Sequence, residues 1–414
     1  MTPKPSGPHV GRSSMVRGLR SSRMIVAIWA PVILGPTISG SKVIAVEHIR
    51  VLSRRFQVVA FVLVSARKFA KAQAYKNLWF EGADAKVVVL PCLSTRGSVI
   101  FSKLFAAAIA SLAIAHLHFA GRIGLLITRD SVSSLPLVIL SRLIHIPVLY
   151  DTHSVPFGFR ESELLGGSIM RNRIAAYAMK GIDYFVLQHA HFVGVVSTGS
   201  STELISMFGS QFKDKLVAFP LSIPDEFYNP CLEIRPISSI ELIYNGSISP
   251  LYDFSELVKA LKAMRSAGKR VSLTIYGRRF EREAVERWES GASLIEFKDQ
   301  VPRREIINIL RQATAVVIPL SAETPGTPVK ALEAMALGVP VIISHPQDRS
   351  LFRDGETCFV VSDDMWQSWE IAILRATVPE LREKVAKGAR AAAELFRSTH
   401  TIDTVLRILR AYSQ

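Results

Sequence analysis

The fold of this chain is constrained most strongly by residues 315–344, which read AVVIPLSAETPGTPVKALEAMALGVPVIIS. The segment opens with a continuous apolar run, residues 315–320, that is typical of a parallel strand buried on both faces. A helix then begins near Thr327 and ends at Gly338 and Pro340, because glycine followed by proline stops a helix. A second apolar run follows at residues 341–344. The pattern predicts a strand-helix-strand crossover in a parallel α/β sheet.

The start of this helix is a candidate phosphate site. It faces the carboxyl edge of the predicted sheet, where its backbone N–H groups and its dipole favour an anion. Thr327 is placed to cap the helix, Lys330 lies in its first turn, and Glu333 follows on the same helix. In nucleotide-binding crossovers, a carboxylate close to such a site accepts hydrogen bonds from ribose hydroxyls. The pattern therefore favours a nucleotide; in the alternative, the crossover is structural and Glu333 is a solvated helix residue.

The length and cysteine content bound the class of protein. A chain of 414 residues, 49% of them hydrophobic, is long enough for two core-bearing domains. Its three cysteines, Cys92, Cys231 and Cys358, are widely spaced and form no paired motif. This spacing argues against a disulfide scaffold and a cysteine metal site, and it favours a reducing compartment.

The net charge of +15 arises entirely in the first half of the chain. Residues 1–220 hold 25 Lys and Arg against 10 Asp and Glu, whereas residues 221–414 hold 25 of each. Such an excess predicts an anionic partner: nucleic acid, an acidic membrane surface or a phosphorylated substrate. No nucleic-acid partner is expected, because neither interleaved aromatics nor a reading motif is present. We favour an anionic lipid surface or a lipid-phosphate acceptor, with a purely solubilising role as the alternative.

The first domain is predicted to follow a basic, disordered tail over residues 1–23. The apolar run at 24–34 is too short to span a bilayer and has no convincing cleavage site, so we expect a strand at 25–29. A glycine loop ends at Gly40 and opens a helix over residues 41–54. Such a loop allows a phosphate to approach the backbone closely.

A long apolar helix is predicted at residues 99–120. Lys103, His116 and His118 interrupt it, and alanine contributes little to membrane insertion. We therefore expect this helix to cover the sheet rather than to span a membrane.

Polar residues follow two further predicted strands of the first domain. Arg129 and Asp130 end one strand, and Asp151 and His153 end the next. Because open α/β sheets bind ligands at their carboxyl edge, these residues are candidates for a ligand site. The alternative for His153 is a structural role, which is common for a single histidine.

Residues 327–341 resemble a motif of a known family. EAMA at 333–336 and GVPV at 338–341 match the nucleotide-sugar motif of retaining glycosyltransferases with the GT-B fold, the family 4 type also called group 1 glycosyl transferases. In that family the motif begins with a glutamate eight positions before Glu333; here that position is Pro325, and Glu323 lies two residues earlier. A subset carries Ser/Thr-Pro-x-Lys before the final glutamate, as TPVK at 327–330 does.

The resemblance implies an α/β protein with the GT-B fold, in which two Rossmann-like domains with parallel sheets face each other across a cleft. The domains that we predict are a basic tail (1–23), an acceptor-binding domain (24–222), a linker (223–239), a nucleotide-sugar-binding domain (240–396) and a C-terminal helix that packs back on the first domain (397–414).

The resemblance also implies the site residues. The nucleotide-sugar-binding residues are expected to be Gly40, Gly246, Gly277, Arg278, Thr327, Pro328, Val329, Lys330 and Glu333. His153 is the expected catalytic residue, with a positioning and electrostatic role near the donor sugar, and Arg129, Asp130 and Asp151 are expected on the acceptor side. Relatives carry an arginine and a lysine after the glycine that corresponds to Gly246, and this chain has neither there. Arg278 and Lys330 are the expected substitutes.

The implied activity is transfer of a sugar, with retention, from a nucleotide diphosphate sugar such as a UDP- or GDP-sugar. The expected acceptor is a sugar, lipid-linked or polysaccharide acceptor, and the expected location is cytoplasmic, on the inner face of the membrane. No cofactor and no metal are expected, because no Asp-x-Asp pair follows a strand. Two alternatives stay open: a non-catalytic nucleotide-sugar-binding or scaffold subunit, and a nucleotide-sugar epimerase.

Overall fold

The structure is a computed structural model that describes residues 24–35, 40–93, 99–121, 123–152, 169–229, 239–246, 248, 251–277, 294–322 and 327–412. These residues form two parallel sheets. The strands of the first are β1 (Ile25–Leu34), β2 (Gln57–Ser65), β3 (Ala85–Cys92), β4 (Ile123–Thr128), β5 (Val148–Asp151), β6 (Phe192–Val195) and β7 (Leu216–Ala218). The strands of the second are β8 (Ile240–Asn245), β9 (Val271–Gly277), β10 (Ile295–Asp299), β11 (Ala315–Ile318), β12 (Val341–Ser344) and β13 (Phe359–Val361).

Helices lie between many of the successive strands. The first lobe, built on the first sheet, contains α1 (Gly40–Ser53), α2 (Ala72–Phe80), α3 (Val99–Gly121), α4 (Ser131–Ile144), α5 (Ile169–His189) and α6 (Thr198–Phe208). The second lobe contains α7 (Ser255–Ser266), α8 (Arg303–Gln312), α9 (Val329–Leu337), α10 (Trp366–Arg375) and α11 (Pro379–Ala393), and the chain continues into α12 (Ser398–Tyr412).

The order of strands places a crevice in each lobe. It is β3-β2-β1-β4-β5-β6-β7 in the first sheet and β10-β9-β8-β11-β12-β13 in the second. In both, the order reverses beside the first strand, and open parallel sheets bind ligands outside the carboxyl ends of their strands at such a point. The two crevices face each other, because a Cβ built on Gly40 of α1 would lie 4.0 Å from Val329 Cγ2 of α9.

The last helix belongs to the core of the first lobe. Val405, Ile408 and Leu409 of α12 are buried in the cluster that covers one face of the first sheet, beside α1. Helices α3 to α6 cover the opposite face. The chain that returns to the first lobe runs beside the chain that leaves it, since Ile223 N donates to Phe396 O at 2.9 Å.

The predicted crossover is confirmed: β11, α9 and β12 follow one another with short connections, and β11 and β12 pair in parallel. Gly338 ends α9 with a φ of 75°, a left-handed conformation that glycine adopts without steric cost. The helices predicted at residues 41–54 and 99–120 are also present, as α1 (Gly40–Ser53) and α3 (Val99–Gly121).

One sequence expectation about the limit of a strand is wrong. β1 continues through Pro31 to Leu34 instead of ending at Trp29, and its pairing register shifts between Trp29 and Ile33. A proline is tolerated in a strand at such an irregularity because the ladder bond is already lost there.

Candidate functional site

A cavity of about 780 Å³ lies between the two lobes. The first lobe contributes Gly40, Val43, Val46, Arg50, Leu78 and Trp79 to its wall. The second lobe contributes Asn245, Gly246, Leu251, Tyr252, Tyr276, Gln300, Val301, Pro302, Arg303, Ile306, Pro328, Val329, Lys330 and Glu333. The volume is in the range that small-molecule and cofactor sites occupy.

Glu333 lies on the wall of this cavity and is held by an arginine. The residue is only 7% exposed, and its Oε1 accepts a hydrogen bond from Arg303 Nη2 at 2.7 Å. Among the described residues no group donates to its other oxygen, Oε2. A carboxylate with one oxygen fixed in this way keeps the other for a ligand hydroxyl.

Arg303 also reaches across to the first lobe. Its Nη1 lies 3.7 Å from Oε2 of Glu47 in α1, and Arg50 Nη1 lies at the same distance from that oxygen. Burial raises the pKa of Glu47, while the nearby Arg303 and Arg50 act in the opposite direction. One guanidinium therefore links a carboxylate of each lobe at the cavity.

Lys330 is fixed by two aromatic rings. Its Nζ lies 3.8 Å from the ring centroid of Tyr244 and 4.2 Å from that of Tyr252, which are cation–π distances. Gly246 has a φ of 131°, and a Cβ built on it would lie 2.9 Å from Lys330 Nζ. A side chain at 246 would thus be strained and would displace the ammonium group, so glycine is required at this position.

The amino end of α9 opens on the same cavity. Pro328 occupies the N-cap position, and no side chain caps the helix, so the expectation that Thr327 caps it is wrong. The helix starts at Val329, two residues later than predicted, because Pro328 is extended with a ψ of 116° and the residue before a proline is biased away from the helical conformation. The first N–H groups of a helix have no intrahelical acceptor, and here they lie at the cavity beside Lys330.

The first lobe gives the cavity a largely apolar wall. Trp79 Nε1 donates to Gly35 O at 2.8 Å, which holds the indole, and Arg50 Nη2 donates to the backbone carbonyl of Trp79 at 2.9 Å, which holds the main chain of α2. Leu78 beside it is 60% exposed. Sequence reasoning missed α2, although apolar residues at 72, 75, 79 and 80 have the spacing of one helix face.

Two of the predicted acceptor-side residues, Arg129 just after β4 and Asp151 at the end of β5, do come together. Arg129 Nη2 lies 2.7 Å from Asp151 Oδ2 and also contacts Nδ1 of His48, whose Nε2 lies 3.0 Å from Pro220 O. Arg129 and Asp151 are buried, and burial lowers the pKa of Arg129 while Asp151 raises it. Neither lines the cavity between the lobes.

Asp130 has a structural position at the start of α4. Its φ is 64°, its carboxylate accepts from Ser133 N, and Lys103 Nζ lies 2.5 Å from its Oδ2. The roles expected for Arg129, Asp130 and Asp151 toward an acceptor stay predictions.

Six of the residues predicted to bind the nucleotide sugar line the cavity: Gly40, Gly246, Pro328, Val329, Lys330 and Glu333. Thr327 and Gly277 are buried and do not line it. His153 and Arg278 lie outside the described residues. Across the described parts of the chain, no three His, Cys, Asp or Glu side chains are grouped as a metal site.

Comparison with known proteins finds a family match within the second lobe. Residues 240–377, which include Gly246, Lys330 and Glu333, match the family described as glycosyl transferases group 1. This match covers about a third of the chain. The whole chain has the GT-B fold expected from the sequence, because its two parallel sheets match those of solved GT-B glycosyltransferases.

Two similar proteins are both named D-inositol 3-phosphate glycosyltransferase. The one from Acidothermus cellulolyticus is 25% identical over 228 residues, which cover 50% of this chain and 50% of its own length. The one from Saccharomonospora viridis is 27% identical over 197 residues, 42% of this chain and 43% of its own. The chain thus spans about half the length of the curated relatives it matches.

Solved structures extend the likeness of this glycosyltransferase fold over both lobes. HepE from Anabaena, in complex with UDP and glucose, has a TM-score of 0.67 at 15% identity and covers 94% of this chain and 100% of its own. Sucrose-phosphate synthase from Thermosynechococcus elongatus has a TM-score of 0.70 at 16% identity, over 94% and 99%.

Proposed function

We propose that this chain is a retaining glycosyltransferase that moves a sugar from a nucleotide diphosphate sugar to an acceptor held by the first lobe. The observation that carries the proposal is the position of Glu333. It lies on the wall of the cavity between the lobes, within the segment that matches the group 1 family, with one oxygen held by Arg303. HepE, which has the same fold, was solved with UDP-glucose, and this supports a nucleotide-sugar donor.

In the proposed complex, each part of the donor meets a group of matching chemistry. The ribose hydroxyls donate to the Glu333 carboxylate, as in other nucleotide crevices. The diphosphate lies between the amino end of α9 and Lys330, where helix N–H groups and an ammonium offset its charge. Lys330 replaces the two cations that relatives carry after Gly246, and it sits within reach of that glycine. Arg278 is the second proposed substitute.

The proposed reaction exchanges one bond at the anomeric carbon for another. The bond from this carbon to the diphosphate oxygen breaks, a bond to the acceptor oxygen forms on the same face, and the acceptor proton is released. Negative charge develops on the leaving diphosphate, so donors positioned there stabilise the transition state more than the ground state. No metal is included in the proposal. His153 is proposed to position the donor sugar and to stabilise its charge.

The first lobe is proposed to hold the acceptor near Trp79. Arg129, Asp130 and Asp151, which do not line the cavity, are proposed to support the acceptor side from the ends of β4 and β5. A sugar ring stacks well on an aromatic face, and the apolar wall suits the hydrocarbon of a lipid-linked sugar. The excess of basic residues in the first half favours an acceptor that carries phosphate. The relatives named for D-inositol 3-phosphate act on an acceptor of this charge, which supports the same class here.

A non-catalytic sugar-nucleotide-binding subunit is the second candidate. It is favoured by one specific observation: the first glutamate of the family motif is replaced by Pro325, and the diphosphate cations after Gly246 are absent from the sequence. Such a subunit would bind the donor without turnover.

The test combines binding and turnover with one matched pair of variants. Thermal shift with UDP, GDP, ADP and dTDP identifies the base, because a ligand that binds only the native state raises the melting temperature. The corresponding UDP- or GDP-sugars are then assayed for nucleotide release with and without sugar and lipid-phosphate acceptors. Release that requires an acceptor supports the transferase, binding without release supports the non-catalytic subunit, and binding of none contradicts both.

Glu333→Gln is expected to weaken nucleotide binding by about 10- to 100-fold, since hydrogen bonds to a charged group are worth about 1.5–3 kcal/mol. Glu383→Gln removes an exposed carboxylate of α11 that pairs with Lys387 in the next turn. This control is expected to bind as the wild type does. Equal affinities for the two variants would contradict the role of Glu333.

A further inference from the structure

Helix α3 carries a stripe of large apolar side chains that face solvent. Phe101, Phe105, Leu112 and Phe119 are each between 68 and 76% exposed. At about 100° per residue these four positions fall within about 40° of arc, and they extend over about 27 Å of helix. The opposite side of α3, with Ala106, Ala110 and Ile114, is buried in the core of the first lobe.

The apolar surface continues on the two helices beside α3. Ile139 and Leu143 of α4 are 45% and 73% exposed, and Tyr177 of α5 is 73% exposed. Helices α3 and α4 pack against each other, as do α4 and α5. We call the exposed apolar side chains of these three helices the outer face of the first lobe. Exposed apolar surfaces of this size mark a protein or membrane contact.

The charge of the outer face favours a membrane contact over a protein contact. Helices α3 and α4 contain no Asp or Glu, and the one acidic residue of α5, Asp183, is 1% exposed. Lys180 of α5 and Arg142 of α4 are exposed beside the apolar side chains. A surface that joins aromatic and aliphatic side chains to cations, without exposed acids, complements an anionic bilayer.

We propose that the outer face of the first lobe docks on an anionic membrane, with α3 lying in the plane of the interface. Residues Ile100–Gly121 are long and apolar enough to cross a bilayer, but the buried side of α3 is part of the sheet's core and cannot be given up to lipid. The helix therefore lies on the bilayer and inserts only its stripe.

The placement of α3 would bring a lipid-borne acceptor close to the cavity. The helix starts at the carboxyl edge of the first sheet, since Ser102 Oγ accepts from the backbone N–H of Leu93, one residue after β3. Leu93 is itself 55% exposed. The cavity between the lobes lies at this same edge, so the stripe begins on the side where substrates enter. Docking does not depend on donor binding, and its failure would leave the proposed function untouched.

The experiment is co-sedimentation of the full chain with vesicles of phosphatidylcholine alone and of phosphatidylcholine with phosphatidylglycerol. The variant Phe101→Ser/Phe105→Ser/Leu112→Ser removes the stripe at exposed positions. Ile371→Ser/Val378→Ser/Leu395→Ser removes three exposed apolar side chains of the second lobe and is the matched control. Melting temperatures verify that both variants are folded, and Phe119→Ser alone replaces the triple variant if that one is not.

The wild type and the control are expected to bind the anionic vesicles at least about tenfold more tightly than the neutral ones, with affinity that falls as salt rises. The stripe variant is expected to lose about tenfold or more of this affinity. Equal binding of the stripe variant and the wild type would overturn the proposal. So would absence of vesicle binding together with a dimer that the stripe variant converts to monomer, because the outer face would then be a contact between copies.

Discussion

Arg303 Nη2 donates to Glu333 Oε1 at 2.7 Å, and the same guanidinium lies 3.7 Å from Glu47 Oε2 in the other lobe. The arginine is also placed 5.3 Å from the ring centroid of Phe227, which limits its movement. Glu333 is therefore oriented by a guanidinium that contacts carboxylates of both lobes. Its Oε1 is occupied by Arg303, and a ribose bound as proposed would donate to Oε2, whose orientation is fixed by that contact.

Replacing this cation is expected to weaken donor binding more than turnover. Arg303→Leu should raise the KM for the nucleotide sugar by about tenfold, because Glu333 loses its orientation and a charged hydrogen-bond partner. Arg303→Lys should recover part of the loss, since an ammonium supplies charge without the planar fork. Arg304→Leu changes the exposed neighbour and is the control; an equal rise in KM for that variant would contradict the assignment.

The second prediction concerns the diphosphate. Lys330→Met should reduce affinity for a nucleoside diphosphate by about tenfold or more and leave affinity for the matching nucleoside unchanged, since only the diphosphate carries the charge that the ammonium meets. Calorimetric titration with both ligands measures the ratio. Lys269→Met, on the exposed turn after α7, is the control. If both affinities fell together in Lys330→Met, the lysine would have a structural rather than a phosphate-binding role.

Asp183 makes the stability of the first lobe depend on pH. Burial raises its pKa from 3.8 to about 6, so the native state keeps a proton that the unfolded chain releases. The free energy of unfolding therefore falls as the pH rises from about 4 to about 6, by about 3 kcal/mol in all. Asp183→Asn should flatten this dependence and melt at a higher temperature than the wild type at pH 7.5.

Thermal melts between pH 4 and pH 8 test this expectation. Asp403→Asn replaces an exposed carboxylate of α12 and should keep the wild-type profile. A profile of Asp183→Asn that parallels the wild type would show that another group titrates.

The buried pair of Arg129 and Asp151 leads to a fourth prediction. Asp151→Asn leaves a buried guanidinium without its counter-charge and should lower the free energy of unfolding by about 3–5 kcal/mol. The double variant Arg129→Met/Asp151→Leu removes both charges and should recover most of that loss. Denaturant titrations measure both. A double variant less stable than Asp151→Asn would mean that the contacts of Arg129 with His48 matter more than its charge pairing.

The sequence predicts well the elements that consecutive residues form, and it predicts poorly the contacts between residues that are distant in the chain. The crossover at 315–344 is encoded in consecutive residues, so its apolar runs and its Gly338 stop could be interpreted directly. Lys330 was placed correctly in the first turn of α9, but its ammonium is held by Tyr244 and Tyr252, which lie about 80 residues away in the chain. No pattern in the sequence joins positions so far apart.

The same distinction applies to the charged groups. Arg129 and Asp151 were expected at neighbouring strand ends, and β4 and β5 do pair in parallel there. The buried ion pair between these two side chains depends on their rotamers and on the contact of Arg129 with His48, and neither can be predicted from the sequence. Arg303 and Glu47 were missed because each looks like an ordinary helix residue until the two lobes are brought together.

The chain connects the two lobes twice, and both connections lie on one side. Ile223 on the outgoing segment is hydrogen-bonded to Phe396 on the returning one, and Ile223 and Arg397 form a parallel bridge. Two bonded segments on one side would restrict the sliding of one lobe past the other and would favour a hinge about this contact. If the lobes open about this hinge, the cavity between them widens most on the side that lies opposite it.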